Sequence, residues 1–156
     1  MAHKCGTIVK TATSLWFQKT ITLAPKKRGI HVITDEITQI PEIKNFSIGI
    51  AHIMIKHTSA SLSLNECWDS DVKKDMETIL NRIVPENAVY EHTIEGPDDM
   101  PAHGKTSLMG ASVTIPITDG ALNLGTWQGI WLNEHRNHAG SRNLVVTLQG
   151  VGREII

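Results

Sequence analysis

A chain of 156 residues with 40% apolar and 20% charged side chains is long enough for one domain with a proper core and too short for two. Its formal net charge of −1 argues against a protein that wraps nucleic acid or clings to acidic membranes, and no apolar run is long enough to span a bilayer. Residues 1–10 lack the apolar core of a signal peptide, and Cys5 and Cys67 fit no metal or redox spacing, so the expectation is a cytoplasmic protein with reduced thiols.

Residues 1–13 carry no clear period and read as a loose lead-in to a single domain over 14–156. Residues 14–23 read as a strand, with Leu15, Phe17 and Ile21 interleaved with polar side chains. Pro25-Lys26-Lys27-Arg28-Gly29 is a basic turn, either a solvated loop or a holder of phosphate. After a short apolar run over residues 30–33, Thr34 or Asp35 is placed to cap a brief helix that ends before Pro41. Residues 46–55 form a strand with Phe46, Ile48, Ile50 and Met54 on one face and Gly49, Ala51, Ile53 and Ile55 on the other. Such a strand is predicted to be central and covered on both sides.

The densest group of chemically capable side chains follows, in His57-Thr58-Ser59-Ala60-Ser61-Leu62-Ser63-Leu64-Asn65-Glu66. If this segment is extended, His57, Ser59, Ser61, Ser63 and Asn65 share one face, while Ala60, Leu62 and Leu64 share the other. That pattern fits a strand packed on one side and chemically active on the other; it also fits a Ser-rich turn.

Residues 69–84 give the strongest helix, with Val72, Met76, Ile79, Leu80 and Ile83 in one stripe, acidic residues at the start and Pro85 at the stop. Asp71 and Asp75 suit helix-start electrostatics, whereas Glu66 and Asp69 stay open between that role and holding a divalent cation. Residues 91–105 look irregular, because two prolines and two glycines oppose a long regular element. A loop with two His, two Glu, two Asp and a Lys is a candidate for function. His92 and His103 lack the i, i+4 spacing of a helical zinc site, so a metal would need the fold to bring them together, with His57 as the expected third ligand.

Strand 112–117 leads through the Asp119-Gly120 turn to a long strand over 121–134, in which Gly125 and Gly129 suggest a bulge or a close backbone approach beside Trp127. A polar turn over 134–142 and a closing strand over 144–148 complete the chain. The expected fold is α+β: a mostly antiparallel sheet or sandwich of six or seven strands with one main amphipathic helix.

Four blocks carry a resemblance over about residues 14–150. They are His57 to Ser61 with Asn65-Glu66; Tyr90-Glu91-His92 with Glu95-Gly96; Asp98-Asp99-Met100-Pro101-Ala102-His103 with Lys105 and Ser107; and Gly125-Thr126-Trp127-Gln128-Gly129-Ile130 with Glu134-His135-Arg136. In these the chain resembles the YjbQ family (UPF0047), also called the secondary thiamine-phosphate synthase family. The resemblance implies a compact α+β homotrimer and a weak activity that joins a hydroxymethylpyrimidine diphosphate to a thiazole phosphate with release of diphosphate. Lys105 matches the motif lysine, and Gly104 departs from the bulkier apolar residue that relatives tend to carry.

That reaction needs positioning and stabilisation of charge on leaving oxygens. On this reading His57, His103, Lys105 and Glu66 are the catalytic candidates. Ser59, Ser61, Asn65, Arg136, Arg142, Trp127 and Gln128 are the substrate and phosphate contacts. His57, His92 and His103 are the candidate ligands of a divalent metal, Mg2+ for a diphosphate or Zn2+ at the histidines. Two other readings stand beside it: a metal-dependent hydrolase or lyase of a small phosphorylated metabolite, and a trimeric ligand-binding module without turnover.

Overall fold

A computed structural model describes residues 14–153; the lead-in expected over residues 1–13 lies outside them. The strands are β1 (Leu15–Leu23), β2 (Gly29–Val32), β3 (Phe46–Ile55), β4 (Ala60–Glu66), β5 (Ser112–Thr118), β6 (Ala121–Leu122), β7 (Gln128–Glu134) and β8 (Arg142–Gly152). The α-helices are α1 (Thr34–Thr38), α2 (Ser70–Ile83) and α3 (Asp99–Met109).

The strands form two antiparallel sheets, one in the order β1-β8-β3-β5-β6 and one in the order β2-β7-β4. The expected α+β sandwich is present. Its core lies between the sheets, where Ala51, Ile53 and Ile55 of β3, Ile115 and Ile117 of β5 and Leu144, Val146 and Leu148 of β8 meet Ala60 and Leu62 of β4 and Ile130 and Leu132 of β7. Period-two alternation produces this directly, since every second residue of each strand faces inward. Helix α3 packs on β4 and α2 on β2, which makes a third layer outside the smaller sheet.

Several boundaries differ from expectation for physical reasons. The strand expected over 121–134 is broken: β6 stays in the five-stranded sheet, and the chain crosses to the other sheet before β7 starts. The crossing turn is fixed by the Gln128 side chain, whose Oε1 accepts from the Gly125 N–H at 2.8 Å. Gly129 does mark a close approach, because a Cβ there would lie 2.8 Å from that of Cys67. Neither Thr34 nor Asp35 caps α1 with its side chain; Thr34 Oγ1 instead accepts from the Ile130 N–H. In α2 Asp69 is the N-cap and accepts from the Asp71 N–H at 2.8 Å, but of the predicted stripe Leu80 alone is buried, and Ile79 and Ile83 are exposed.

The largest departure is α3, which occupies the end of the stretch expected to be irregular. Pro101 falls in the first turn, where its missing N–H has no helical partner to lose. Gly104 sits where a Cβ would lie 3.0 Å from Val84 Cγ1, so the missing side chain lets α3 lie close to the end of α2.

Strand β3 is central in its sheet but is not covered on both faces. Its outward residues Ile48, Ile50 and Met54 stay about 40% exposed, and in the strand register they line up with Trp16, Val145, Val151 and Pro116. Phe46 leaves that row because the register shifts between Phe46 and Ile48, and it turns into the core.

The pairing of β3 with β8 brings Gly49 opposite Gly150, and a Cβ on Gly49 would run into the Gln149 carbonyl. Gly49→Ala is expected to lower the free energy of unfolding by about 3 kcal/mol in urea titration, because rigid backbone must move to admit the methyl group.

Candidate functional site: a histidine and carboxylate cluster

The smaller sheet turns one face to the core and the other to the helices, and the second face is polar. Ser59 and Ser61 are fully buried under α3, so the middle of the row predicted to be chemically active is covered by the helix layer, while His57 and Asn65 at its ends stay exposed. Asn133 of β7 donates from Nδ2 to both Ser61 Oγ and Ser63 Oγ at 3.1 Å. Ser61 Oγ also hydrogen-bonds His135 Nε2 at 2.9 Å, and the buried Nδ1 of His135 has no partner.

At one end of this layer stands Asp99, in the first turn of α3 and with no exposed surface. Its Oδ2 lies 2.8 Å from His92 Nε2 and 3.1 Å from His103 Nε2, and its Oδ1 accepts from Arg136 Nη1 and, at 3.4 Å, from Ser59 Oγ. Arg136 also donates to Asp98 Oδ2 at 3.0 Å and to the Glu95 carbonyl at 2.8 Å. Burial alone would raise the Asp99 pKa; side-chain hydrogen bonds with His92 and Glu95 and the charges of Arg136 and His103 outweigh it and hold the carboxyl below its usual range. Asp98 is likewise held low against its burial, by the Asn137 N–H and Arg136.

His92, Glu95, Asp99 and His103 each offer one ligand atom, and these four atoms lie within 4.8 Å of one another. His103 Nδ1 lies 2.9 Å from the Thr58 carbonyl, which can only accept, so Nδ1 carries a proton and Nε2 is turned toward Asp99. Two acceptor atoms 3.1 Å apart call for a shared proton or a metal ion between them.

The second part of the site joins β7 to β8. Glu134, fully buried, takes a two-pronged ion pair from Arg142, with Nε–Oε2 at 2.7 Å and Nη2–Oε1 at 2.8 Å. The remaining prong, Nη1, reaches His57 Nε2 at 2.6 Å, while His57 Nδ1 accepts from the Ser59 N–H at 3.0 Å. A neutral imidazole has one lone pair to offer, so these two contacts compete for it. Burial and the Arg142 charge lower the His57 pKa and keep the ring neutral. His57, Thr58, His103, Thr106, Ser107, Gly110 and Ala111 bound an open cleft of about 680 Å³ beside the cluster.

The predicted residues therefore divide. His92, His103, Ser59, Arg136, His57 and Arg142 come together at one end of the smaller sheet. His57 lies outside the four-residue ligand group, its ring nitrogens engaged by Ser59 and Arg142; Asp99 and Glu95 complete the group instead. Lys105 is buried on the inner side of α3 with Nζ 2.6 Å from Asn81 Oδ1, and burial, then the nearby Arg28, lower its pKa. Asn65, Glu66, Trp127 and Gln128 line a different cleft at the far end of β4. Trp131 is fully buried and donates from Nε1 to the Glu66 carbonyl. Ser61 serves the internal network rather than the cleft. Asp98, Asp99, Glu95 and Glu134 were absent from the predicted set, although Asp99 and His103 have the i, i+4 spacing that would have paired them once residues 99–109 were read as helix.

An α+β sandwich with buried carboxylates, three histidines and two arginines gathered at one end of its smaller sheet is the class of protein that fold and site define. The family model described as UPF0047 protein YjbQ-like matches residues 19–151, and the chain belongs to that family. It is 52% identical over 137 residues to the UPF0047 protein YjbQ of Escherichia coli O157:H7, covering 87% of this chain and 99% of that one. With YugU of Bacillus subtilis it shares 36% over 117 residues, covering 74% and 87%. Among solved structures, a YbjQ-like protein of unknown function from Sulfolobus solfataricus P2 superposes with a TM-score of 0.80 at 24% identity, over 88% of this chain and 99% of that one. An uncharacterized YjbQ/UPF0047 protein from Clostridium acetobutylicum gives 0.75 at 33% identity, over 83% and 98%.

His135 supplies a pH test. Burial, with Lys105 and Arg28 nearby, pushes its pKa from 6.5 down to about 3. The unfolded chain takes up a proton below pH 6.5 that the folded chain refuses, so this stability is present above that pH and is lost as pH falls toward 3. Chemical denaturation across pH 6.5 to 4.5 is expected to show a loss that includes about 1.4 kcal/mol per unit from this group, with His57 adding in the same direction. His135→Gln should flatten the slope by about one proton.

Proposed function

We propose that this chain is a divalent-cation-dependent enzyme acting on a small phosphorylated metabolite, with the cation held by His92, Glu95, Asp99 and His103 and the substrate in the adjoining cleft. The observation that carries the reading is the orientation of His103. Its Nδ1–H is committed to the Thr58 carbonyl, an arrangement typical of metal-bound histidine, and its Nε2 faces an ionised, fully buried carboxylate. Two nitrogens and two carboxylates suit Zn2+ or a similar transition metal; Mg2+ would lean on Glu95 and Asp99 and on phosphate oxygens.

When bound, such a cation draws charge off a phosphate or leaving oxygen. The chain's own residues supply the rest. Arg136 is saturated by Asp98, Asp99 and Glu95, so its work is to fix the carboxylates. His57 stands at the cleft edge and is placed to accept a proton once a substrate displaces the Arg142 or Ser59 contact on its ring. Arg142 is buried and its three nitrogens are taken by Glu134 and His57, so its work is to hold His57 at the cleft edge.

Within this reading, hydrolysis or elimination fits the geometry best. The thiamine-phosphate synthase reaction is the second reading. Release of diphosphate makes the same demand on a cation, and family membership supports it; the buried Lys105 and the remote Trp127 count against them as contacts in that reaction. The homotrimer is proposed on a separate ground. The outward residues of β1, β8, β3 and β5 include exposed Trp16, Ile48, Ile50 and Met54 and no Lys, Arg, Asp or Glu, a composition suited to a subunit interface.

Elemental analysis and metal titration of the purified chain should find about one ion per subunit, and at a hundredfold excess over Kd the ion should add ~2.7 kcal/mol of stability. His103→Ala and the more exposed His92→Ala should each weaken binding by ten- to a hundredfold, while Lys105→Met should leave it unchanged. A wild-type chain that neither carries an ion nor gains stability from Zn2+, Mn2+ or Mg2+ would overturn the cation site. A bound ion, with phosphate released from phosphorylated small molecules by the wild type and not by His57→Ala, would favour hydrolysis; thiamine phosphate formed from the two synthase substrates would favour the second reading.

For the assembly, sedimentation equilibrium at micromolar concentration should give three times the chain mass of 17.2 kDa. Ile50→Asp, which places a charge in the middle of the uncharged face, should shift it to the monomer.

A further inference from the structure

The end of the smaller sheet opposite the cluster carries a second cleft. Strand β4 leaves the cluster at Ala60 and ends at Glu66, and seven extended residues carry the chain about 20 Å away. There Leu64, Asn65, Glu66, Trp68, Trp127 and Gln128 border an open cleft of about 440 Å³, a size within the range of small-molecule sites. Trp68 is 77% exposed and Trp127 56% exposed, and their rings meet edge to face with centroids 5.6 Å apart and planes at 76°.

The two indoles are held in place without burying each other. The Cys67 N–H donates to the Trp127 carbonyl at 2.8 Å, tying the two segments together between the rings. Gly129 allows the close approach of Cys67, and behind the corner Trp131 Nε1 donates to the Glu66 carbonyl at 3.1 Å. The frame is fixed by backbone bonds while both aromatic faces remain available.

The polar groups set the charge preference. The lining contains the Glu66 carboxylate and no cationic side chain. Glu66 Oε1 accepts one long bond, 3.4 Å, from the Asp69 N–H. Indole faces carry negative potential, so the two rings and the carboxylate act in the same direction. An anion would be repelled. A purely alkyl ligand would find Leu64 as its only aliphatic wall. A sugar would need one flat platform with donors around its rim, whereas these rings form a corner.

We propose that this corner is a second ligand site, separate from the histidine cluster, and that it takes a flat organic cation: an aromatic ring with a positive charge, stacked on one indole, touched by the edge of the other and facing Glu66. The probe pair is 1-methylnicotinamide and nicotinamide, which share a ring and differ by one methyl group and the charge. Calorimetric titration of the intact chain should show the cation binding at least about tenfold more tightly than the neutral ring. Trp127→Ala and Trp68→Ala should each weaken the cation by about tenfold. Glu66→Gln should weaken it and reduce its salt dependence, and His103→Ala should change nothing. The proposal is overturned if the neutral ring binds equally, if the cation fails to bind up to about 10 mM, or if Trp127→Ala binds as wild type. Acrylamide quenching that found both indoles shielded in the ligand-free protein would overturn it as well.

Discussion

A carboxylate with no exposed surface stays ionised only if its neighbours replace the water it has lost, and Asp99 is in that position. The replacements come from separate parts of the chain: His92 from the segment before α3, His103 from the next turn of α3, Ser59 from the approach to β4 and Arg136 from the turn after β7. Helix α3, the segment before it and the paired ends of β4 and β7 are thereby brought to one point. Breaking one partner leaves a buried charge short of compensation, a change that costs several kcal/mol in proteins generally. Apolar side chains of similar volume could hold these segments together as well or better. A cluster that is costly to assemble and dispensable for cohesion is better explained by chemistry than by stability.

The same logic extends along the face of the smaller sheet. Helices usually pack on sheets through apolar side chains, yet beneath these helices lie Ser59, Ser61, Asn133, His135 and Lys105, all buried. Bonds from Ser59 and the Thr58 carbonyl tie α3 to the end of β4 and Lys105 ties it to α2, and the layer is incompletely satisfied: His135 Nδ1, Asn133 Oδ1 and Thr106 Oγ1 have no partner. In a low-dielectric layer each bond is stronger and each omission more expensive. The apolar sandwich between the sheets makes up the difference, which lets the third layer be specialised.

The elements governed by a simple period were legible from the amino-acid sequence. The boundaries of β3, the start of α2 at Asp69 and the inward row Ile130 and Leu132 follow from alternation, a capping residue and turn chemistry. What was hidden depended on partners distant in sequence. Pro101 and Gly104 argue against a helix locally, yet α3 forms because its first turn tolerates proline and because Val84 fills the space beside the glycine. The seryl row reads as solvent-facing until α3 is known to cover it. Exposure of Ile48, Ile50 and Met54 was missed because an apolar two-faced strand looks the same whether its second face meets its own chain or nothing in it. For the site, the types of residue could be recognised, but joining His57 to the metal ligands and Trp127 to the cluster required distances that spacing does not contain.

Lys105 shows how helical geometry decides roles that a motif leaves open. Two residues apart on an α-helix, side chains diverge by about 200°, so once His103 faces the cluster Lys105 must face the sheet. The rule also works in the other direction. Asp99, His103, Thr106, Ser107 and Gly110 recur at the i, i+4, i+7, i+8 and i+11 positions that form one stripe. The last four of them border the cleft next to the cluster. A ligand in that cleft would lie along the helix with one end at His103 and Asp99 and the other at the left-handed glycine that ends α3, Gly110, where φ is 99°. The order of groups along that stripe places charge neutralisation at one end and small, uncharged surface at the other, which is the arrangement required by a small molecule with a phosphate at one end and a less polar body.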